Sequence, residues 1–230
     1  MSPAIPATPL PFRPEAVIFD MDGLMLDSEC AINAAMARAA RELGHDLPGS
    51  LWLDMVGKGD AVCRAMLGER IGAEAAQALL QRSRAHYDAM VEAGIDHRPG
   101  IVELLDVLDA HRIPRAVATS TRRGLALRKL EAAGLLHRFD AVCTSSDVAH
   151  PKPAPDVYLL AASTLGVAPA RCLVLEDSPT GVRAALAAGM TPVQVPDMLE
   201  PDDEVRALRH RIVASLGEAQ RLLQARLAAG

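Results

Sequence analysis

AVIFDMDGLMLDSE, residues 16–29, is the stretch on which the reading of this sequence turns. It opens with a short apolar run, ends that run at Asp20, and leads through Asp22 and Gly23 to a helical start around Ser28 and Glu29. An apolar run this short, without clean polar alternation, suits a strand covered on both faces rather than a helix. The same grammar recurs downstream at RAVAT (residues 115–119), DAVCT (140–144), CLVLE (172–176) and TPVQV (191–195). Helical patterns lie between the later runs, over residues 122–133, 155–165 and 180–188. Strand, helix and strand repeated in this way predict a parallel sheet with right-handed crossovers.

The interval between the first and second runs breaks that rhythm. Residues 29–43, 60–71 and 73–93 carry amphipathic helical patterns, and no strand candidate stands among them. Arg98-Pro99-Gly100 then resets the chain before a helix over 101–111. The predicted fold class is α/β, a Rossmann-like parallel sheet core with an inserted α-helical cap domain. Residues 15–27 and 98–230 are expected to form the core, and 28–97 the cap over the carboxyl edge of the sheet, where open α/β sheets bind ligands. The proline-rich residues 1–14 read as a flexible arm, and a final helix over 215–228 as packing.

Half of the 230 residues are hydrophobic, enough for a core without disulfides or a structural metal. The net charge is −5 and the basic residues are dispersed, which argues against a nucleic-acid-binding face. Cys30, Cys63, Cys143 and Cys172 form no CxxC pair and read as thiols of a reducing compartment. The N-terminus has neither the basic start nor the apolar run of a signal peptide, and no segment is long and apolar enough for a membrane helix. The expectation is a cytoplasmic protein, a monomer or weak homo-oligomer, with no membrane or nucleic-acid partner.

The polar residues fall at the strand ends. The first strand ends in Asp20-Met21-Asp22-Gly23, the second in Thr119-Ser120-Thr121 and the fourth in Glu176-Asp177-Ser178, while Lys152 follows the third. In a parallel sheet these groups converge on one edge. Crowded carboxylates repel unless a cation joins them, and a carboxylate site of this kind suits Mg2+, which shares phosphate oxygens. Mg2+ and Lys152 supply the charge that admits a phosphate dianion, with backbone amides and Thr119 as donors. An ionised Asp20 can attack phosphorus. A protonated Asp22 can give its proton to the leaving alcohol and then take one from water. Gly23 lets backbone amides approach the phosphate closely.

FDMDGLMLDSE resembles the first motif of the haloacid dehalogenase-like hydrolases, a DxD followed by glycine. Thr119 matches their Ser/Thr motif, HPKPAPDVY (150–158) resembles their lysine motif, and VLEDSPTGVRAALAAGM (174–190) their paired-acid motif. The match in order and spacing runs from about residue 15 to 195. The resemblance implies Asp20 as nucleophile and Asp22 as acid/base of a phosphatase acting on a small phosphorylated metabolite such as a sugar phosphate or nucleotide. It implies a phosphate held by the backbone at Met21 and Gly23 and by Thr119, Ser120 and Lys152. It also implies Mg2+ held by Asp20, the Asp22 carbonyl, Glu176 and Asp177. The nearest branch is that of beta-phosphoglucomutase and its phosphatase relatives. The mutases place a histidine where this chain has Ile32 and an arginine where it has Asp60, which weighs against the alternative of a phosphomutase. A phospho-switch, the alternative from another class, carries its acceptor aspartate after the third strand, where this chain has Thr144-Ser145-Ser146.

Plainer readings stand beside several of these residues. Asp27 and Ser28 suit the capping of the first inserted helix. Ser120 or Thr121 takes the role of Thr119 after a one-residue shift. Gly57 and Lys58 are candidate substrate contacts in the cap, as are Trp52 and Arg64, all of which also suit a solvated face or packing. Arg122 and Arg123 suit either attraction of an anionic substrate or a solvated helix start.

Overall fold

The computed structural model describes residues 10–56 and 58–228. The chain order is β1 (Ala16–Phe19), α1 (Ser28–Glu42), α2 (Gly49–Met55), α3 (Asp60–Ile71), α4 (Ala73–Ala93), α5 (Ile101–Ala110), β2 (Arg115–Thr119) and α6 (Arg123–Ala132). It continues with β3 (Ala141–Thr144), α7 (Asp156–Leu165), β4 (Cys172–Glu176), α8 (Pro179–Ala187), β5 (Thr191–Gln194), α9 (Asp203–Arg206), β6 (Arg211–Ile212) and α10 (Leu216–Ala228). The strands form one sheet in the order β3-β2-β1-β4-β5-β6, and every pairing is parallel. This is the predicted α/β core, with α1–α4 inserted between β1 and α5.

Two apolar layers cover the sheet, and alternation along β1 divides them. Val17 and Phe19 enter one layer, and Ala16 and Ile18 the other. The first layer is closed by α5 and α10, whose buried residues recur at helical spacing: Ile101, Leu104, Leu105 and Leu108 on one, Leu216, Ala219, Leu222 and Leu223 on the other. Small residues dominate the second. Ala116, Ala118 and Cys172 on the strands meet Ala161, Ala162, Ala184 and Ala185 on α7 and α8. The insertion has a third core of its own, in which Ala39 and Ala40 of α1 meet Leu51 and Trp52 of α2, Leu67 of α3 and Leu79 of α4.

The two passages between sheet and insertion lie side by side. The Arg98 amide donates to the Met25 carbonyl at 2.8 Å, the Asp27 amide to the Asp96 carbonyl at 2.9 Å, and Leu26 bridges His97 in antiparallel fashion. Arg98 also reaches Asp197, beyond β5, at 2.7 Å.

Of the expected flexible arm, residues 1–9 lie outside the described residues. Its remainder is packed: Leu10 is buried in the first apolar layer, and Arg171 stacks on the Phe12 ring with 5.4 Å to its centroid. Burying one leucine contributes about 2 kcal/mol, enough to hold so short a tether. Asp27 occupies the N-cap of α1 without a side-chain capping bond. Ser28 is fully buried and accepts from the Gly23 amide at 3.1 Å instead, so the hydroxyl closes the turn after β1 rather than the helix end.

Candidate active site

Parallel register brings the polar strand ends together. Phe19 stands opposite Val117 of β2 and Leu175 of β4, so Asp20 falls level with Glu176 and with Ala118, one residue short of Thr119, and its amide donates to the Leu175 carbonyl at 3.0 Å. The sheet order reverses around this point, with β2 and β3 on one side and β4 to β6 on the other. Such a switch point leaves a crevice at the strands' carboxyl ends.

Lys152 is the hub. Its ammonium donates to Asp20 Oδ1 at 2.6 Å and to Glu176 Oε1 at 2.7 Å, and it lies 4.6 Å from the centre of the Tyr158 ring. The Tyr158 hydroxyl donates to the same Glu176 oxygen at 3.1 Å. The other Glu176 oxygen accepts from the Ser178 amide and hydroxyl at 2.7 and 2.9 Å. Glu176 is thus fully buried with both oxygens engaged, an anchor for Lys152 at the root of α8. Only glycine fits at 181: a Cβ there would overlap the Glu176 carboxylate. At Gly23, where φ is +80°, a Cβ would overlap Asp177 Oδ2.

Asp20, Glu176 and Asp177 offer oxygens within 4.8 Å of one another. Burial pushes the Asp20 carboxyl up to about 7; Lys152 opposes the rise, and Glu176 adds to it. Asp177 is held well above the usual carboxylate range by burial and then by Glu176 and Asp20. These carboxylates outnumber the one ammonium among them, so the edge is short of positive charge. An all-oxygen donor set with that deficit fits a hard divalent cation.

Asp22 has partners of its own. Its Oδ2 accepts from the Thr121 hydroxyl and its Oδ1 from the Lys129 ammonium, both at 2.7 Å. Lys129, on α6, is buried. Burial works against its charge, but Asp22 and then Tyr87 favour it by more and hold the ammonium above the ordinary lysine value. Thr119 is buried at the end of β2, and its hydroxyl accepts from the Thr121 amide at 3.0 Å, whereas Ser120 is exposed. With Thr121 committed to Asp22, Thr119 and Ser120 are the hydroxyls left at the edge.

Several sequence expectations change here. The Gly23 amide, expected near phosphate, is spent inside its own turn on the Leu26 carbonyl and the Ser28 hydroxyl; Gly23 supplies space rather than a donor. The Met21 side chain is fully buried, which leaves only its backbone at the edge. Arg123 forks onto Asp147 at 2.9 and 2.7 Å, so its charge is not directed to the site. Trp52 packs in the core of the insertion. Gly57 lies outside the described residues. Lys58 is exposed and lines a cleft of about 490 Å³ in the insertion, with Arg64, Asp60, Ile32 and Glu29. Tyr87 of α4 also lines it and lies 5.1 Å, ring centre to nitrogen, from the Lys129 ammonium. The cleft thereby reaches the surroundings of Asp22.

Lys129, Tyr158 and Gly181 were not foreseen as site residues. Tyr158 stands inside the lysine motif and Gly181 inside the paired-acid motif, so a signal for both was present. Lys129 had none, being one of several basic residues on its helix.

Residues 14–189 match the profile of a hydrolase family, the haloacid dehalogenase-like hydrolases. The chain belongs to that family. Fructose-1-phosphate phosphatase YqaB of Escherichia coli is 34% identical over 80% of this hydrolase and 97% of its own length. Hexitol phosphatase A, also of Escherichia coli, is 31% identical over 92% of this hydrolase and 100% of its own length. Among solved structures, a haloacid dehalogenase family hydrolase from Deinococcus radiodurans with bound phosphate and sodium superposes with a TM-score of 0.78, at 31% identity over 94% of this hydrolase and 97% of that chain. The beta-phosphoglucomutase of Clostridium difficile shares the fold, with a TM-score of 0.68 at 22% identity over 94% of this hydrolase and 97% of that chain.

Proposed function

We propose that this hydrolase is a magnesium-dependent phosphatase of the cytoplasm that cleaves a small phosphate monoester through an aspartyl-phosphate on Asp20. The observation that carries the reading is the convergence of Asp20, Lys152, Glu176 and Asp177 at the switch point of the sheet. The relatives named as fructose-1-phosphate and hexitol phosphatases favour a sugar or sugar-alcohol phosphate as substrate.

Asp20, Asp177 and the Asp22 carbonyl are the proposed holders of Mg2+, with Glu176 behind them. When bound, the ion offsets the negative charge of carboxylates and phosphate together. Lys152 steadies Asp20 and presents its ammonium to the phosphoryl oxygens, while Thr119 or Ser120 and the backbone around Met21 supply neutral donors. Asp20 attacks phosphorus, and the bond to the substrate alcohol breaks as Asp22 delivers a proton to that oxygen. Asp22 then takes a proton from the water that attacks the aspartyl-phosphate, freeing inorganic phosphate and Asp20. Gly57 and Lys58 are proposed contacts for the rest of the substrate, residues 28–97 acting as a cap that excludes water during transfer.

A phosphomutase needs a group to read a second phosphate. Ile32 and Asp60 stand in the cleft at the positions where the mutases carry histidine and arginine, which favours hydrolysis, while Lys58, Arg64 and Arg84 are the basic groups of that cleft. Phosphate release from a panel of sugar, sugar-alcohol and nucleoside monophosphates tests the proposal, with Mg2+ and with chelator. Release should require the metal and fall about 10³-fold or more in Asp20→Asn. Undiminished release by Asp20→Asn overturns the reading.

A further inference from the structure

The steps above use Lys152 and leave the second buried lysine, Lys129, without a role. Basic residues of α6 and its N-cap point two ways. Arg123 and Arg128 lie at the surface, where Arg128 reaches Glu92 of α4 at 2.7 Å. Lys129 turns inward, its side chain 4% exposed, and Asp22 is its one carboxylate partner among the described ion pairs. Burying an ammonium is costly unless it is paired, and removing one partner strands the other. Such a pair at a helix–sheet junction can be simple packing. Two features set this one apart. Its carboxylate is the proposed acid/base, and its ammonium also meets the Tyr87 ring of the insertion, a favourable cation–π contact.

We propose that Lys129 is a positioning residue: it sets the direction of the Asp22 carboxylate and ties that direction to the seating of the helical insertion through Tyr87. Thr121 holds one Asp22 oxygen and Lys129 the other, so the carboxylate has one orientation while α6 and α4 stay docked. Lys129 is not among the proposed phosphate ligands. The proton step needs Asp22 aimed at the oxygen leaving phosphorus. There the carboxyl O–H bond breaks as the P–O bond cleaves, and the proton joins the departing oxygen with its electron pair. The carboxylate held by Thr121 and Lys129 is the form that remains once its proton has left and that then takes one from water. The inference rests on the reading of Asp22 as acid/base.

Leaving-group dependence separates this role from a structural one. An alkyl phosphate needs a proton on its leaving oxygen; p-nitrophenyl phosphate needs none in the first step. Pre-steady-state and steady-state cleavage of both is compared for wild type, Asp22→Asn, Lys129→Met and Lys129→Arg, with thermal unfolding of each. Lys129→Met should slow alkyl cleavage about 10²-fold while the nitrophenol burst and the alkyl KM change less than about threefold. Lys129→Arg, which keeps the charge, should recover about tenfold of that loss. The Asp22→Asn/Lys129→Met pair should be no slower than Asp22→Asn alone within about twofold.

Equal slowing of both substrates by Lys129→Met overturns the proposal in favour of packing, and a raised KM at unchanged kcat overturns it in favour of substrate contact. A normal leaving-group pattern in Asp22→Asn removes the acid role and this inference with it, and leaves the Asp20 test standing. Selective loss in Asp22→Asn without loss in Lys129→Met refutes the Lys129 inference alone.

Discussion

The carboxyl edge of the sheet and the cleft of the helical insertion carry charge in opposite ways. At the edge, the side chains of Lys152 and Glu176 are 3% and 0% exposed, and the Lys152 ammonium and both Glu176 oxygens are engaged by buried or part-buried neighbours. In the insertion, Arg84 and Asp60 pair at 3.1 Å with 68% and 86% of their side chains exposed, a weak contact in water. Groups fixed by a rigid, dry scaffold suit chemistry that tolerates little misplacement. Long, solvated side chains on a separate helical core suit recognition, because their exchange leaves the sheet intact.

The strongest attempt to break this contrast is Lys152→Met. It strands Asp20 and Glu176 in a buried site, so stability should fall by about 3 kcal/mol and turnover should nearly vanish; chemical denaturation and phosphate release measure the two. A stable, active variant would mean that the edge is no more preorganised than the cleft. Gly181→Ala sharpens the contrast with a single methyl, which must displace the Glu176 carboxylate. The expected cost is about 1–3 kcal/mol with reduced kcat, and normal activity would show that Glu176 does not anchor the lysine. Arg64→Ala in the cleft should have the smallest effect: a KM raised by up to about tenfold, kcat within about twofold and an unchanged melting temperature. A fall in kcat alone would move Arg64 from recognition into the chemistry.

Legibility in the sequence followed the same division. α3 and α4 lie over the residues their periodicity predicted, and β2 and β4 end where their apolar runs end. Strand and long-helix patterns are local, so they can be read locally. The short elements were missed. α2 is one two-turn helix that buries Leu51, Trp52 and Met55, too brief for a period to show. β6 pairs only Arg211 and Ile212 with β5 and carries no apolar run. Asp20, Lys152, Glu176 and Asp177 were legible as a set because parallel strands must end together. Their division of labour was not, since Glu176 spends its oxygens on Lys152, Tyr158 and Ser178.

The sequence by itself determined the parallel core, the position of the insertion and the acids and lysine at the carboxyl edge of the sheet, through short-range patterns and the order of the motifs. Only the tertiary structure decided where each carboxylate points. The Lys129–Asp22 pair spans 107 residues and the Lys152–Asp20 pair 132. No local pattern couples positions so far apart. Their meeting depends on how α6 docks against α4 and how the loop after β3 folds back over β1, and the packing of the whole molecule sets both.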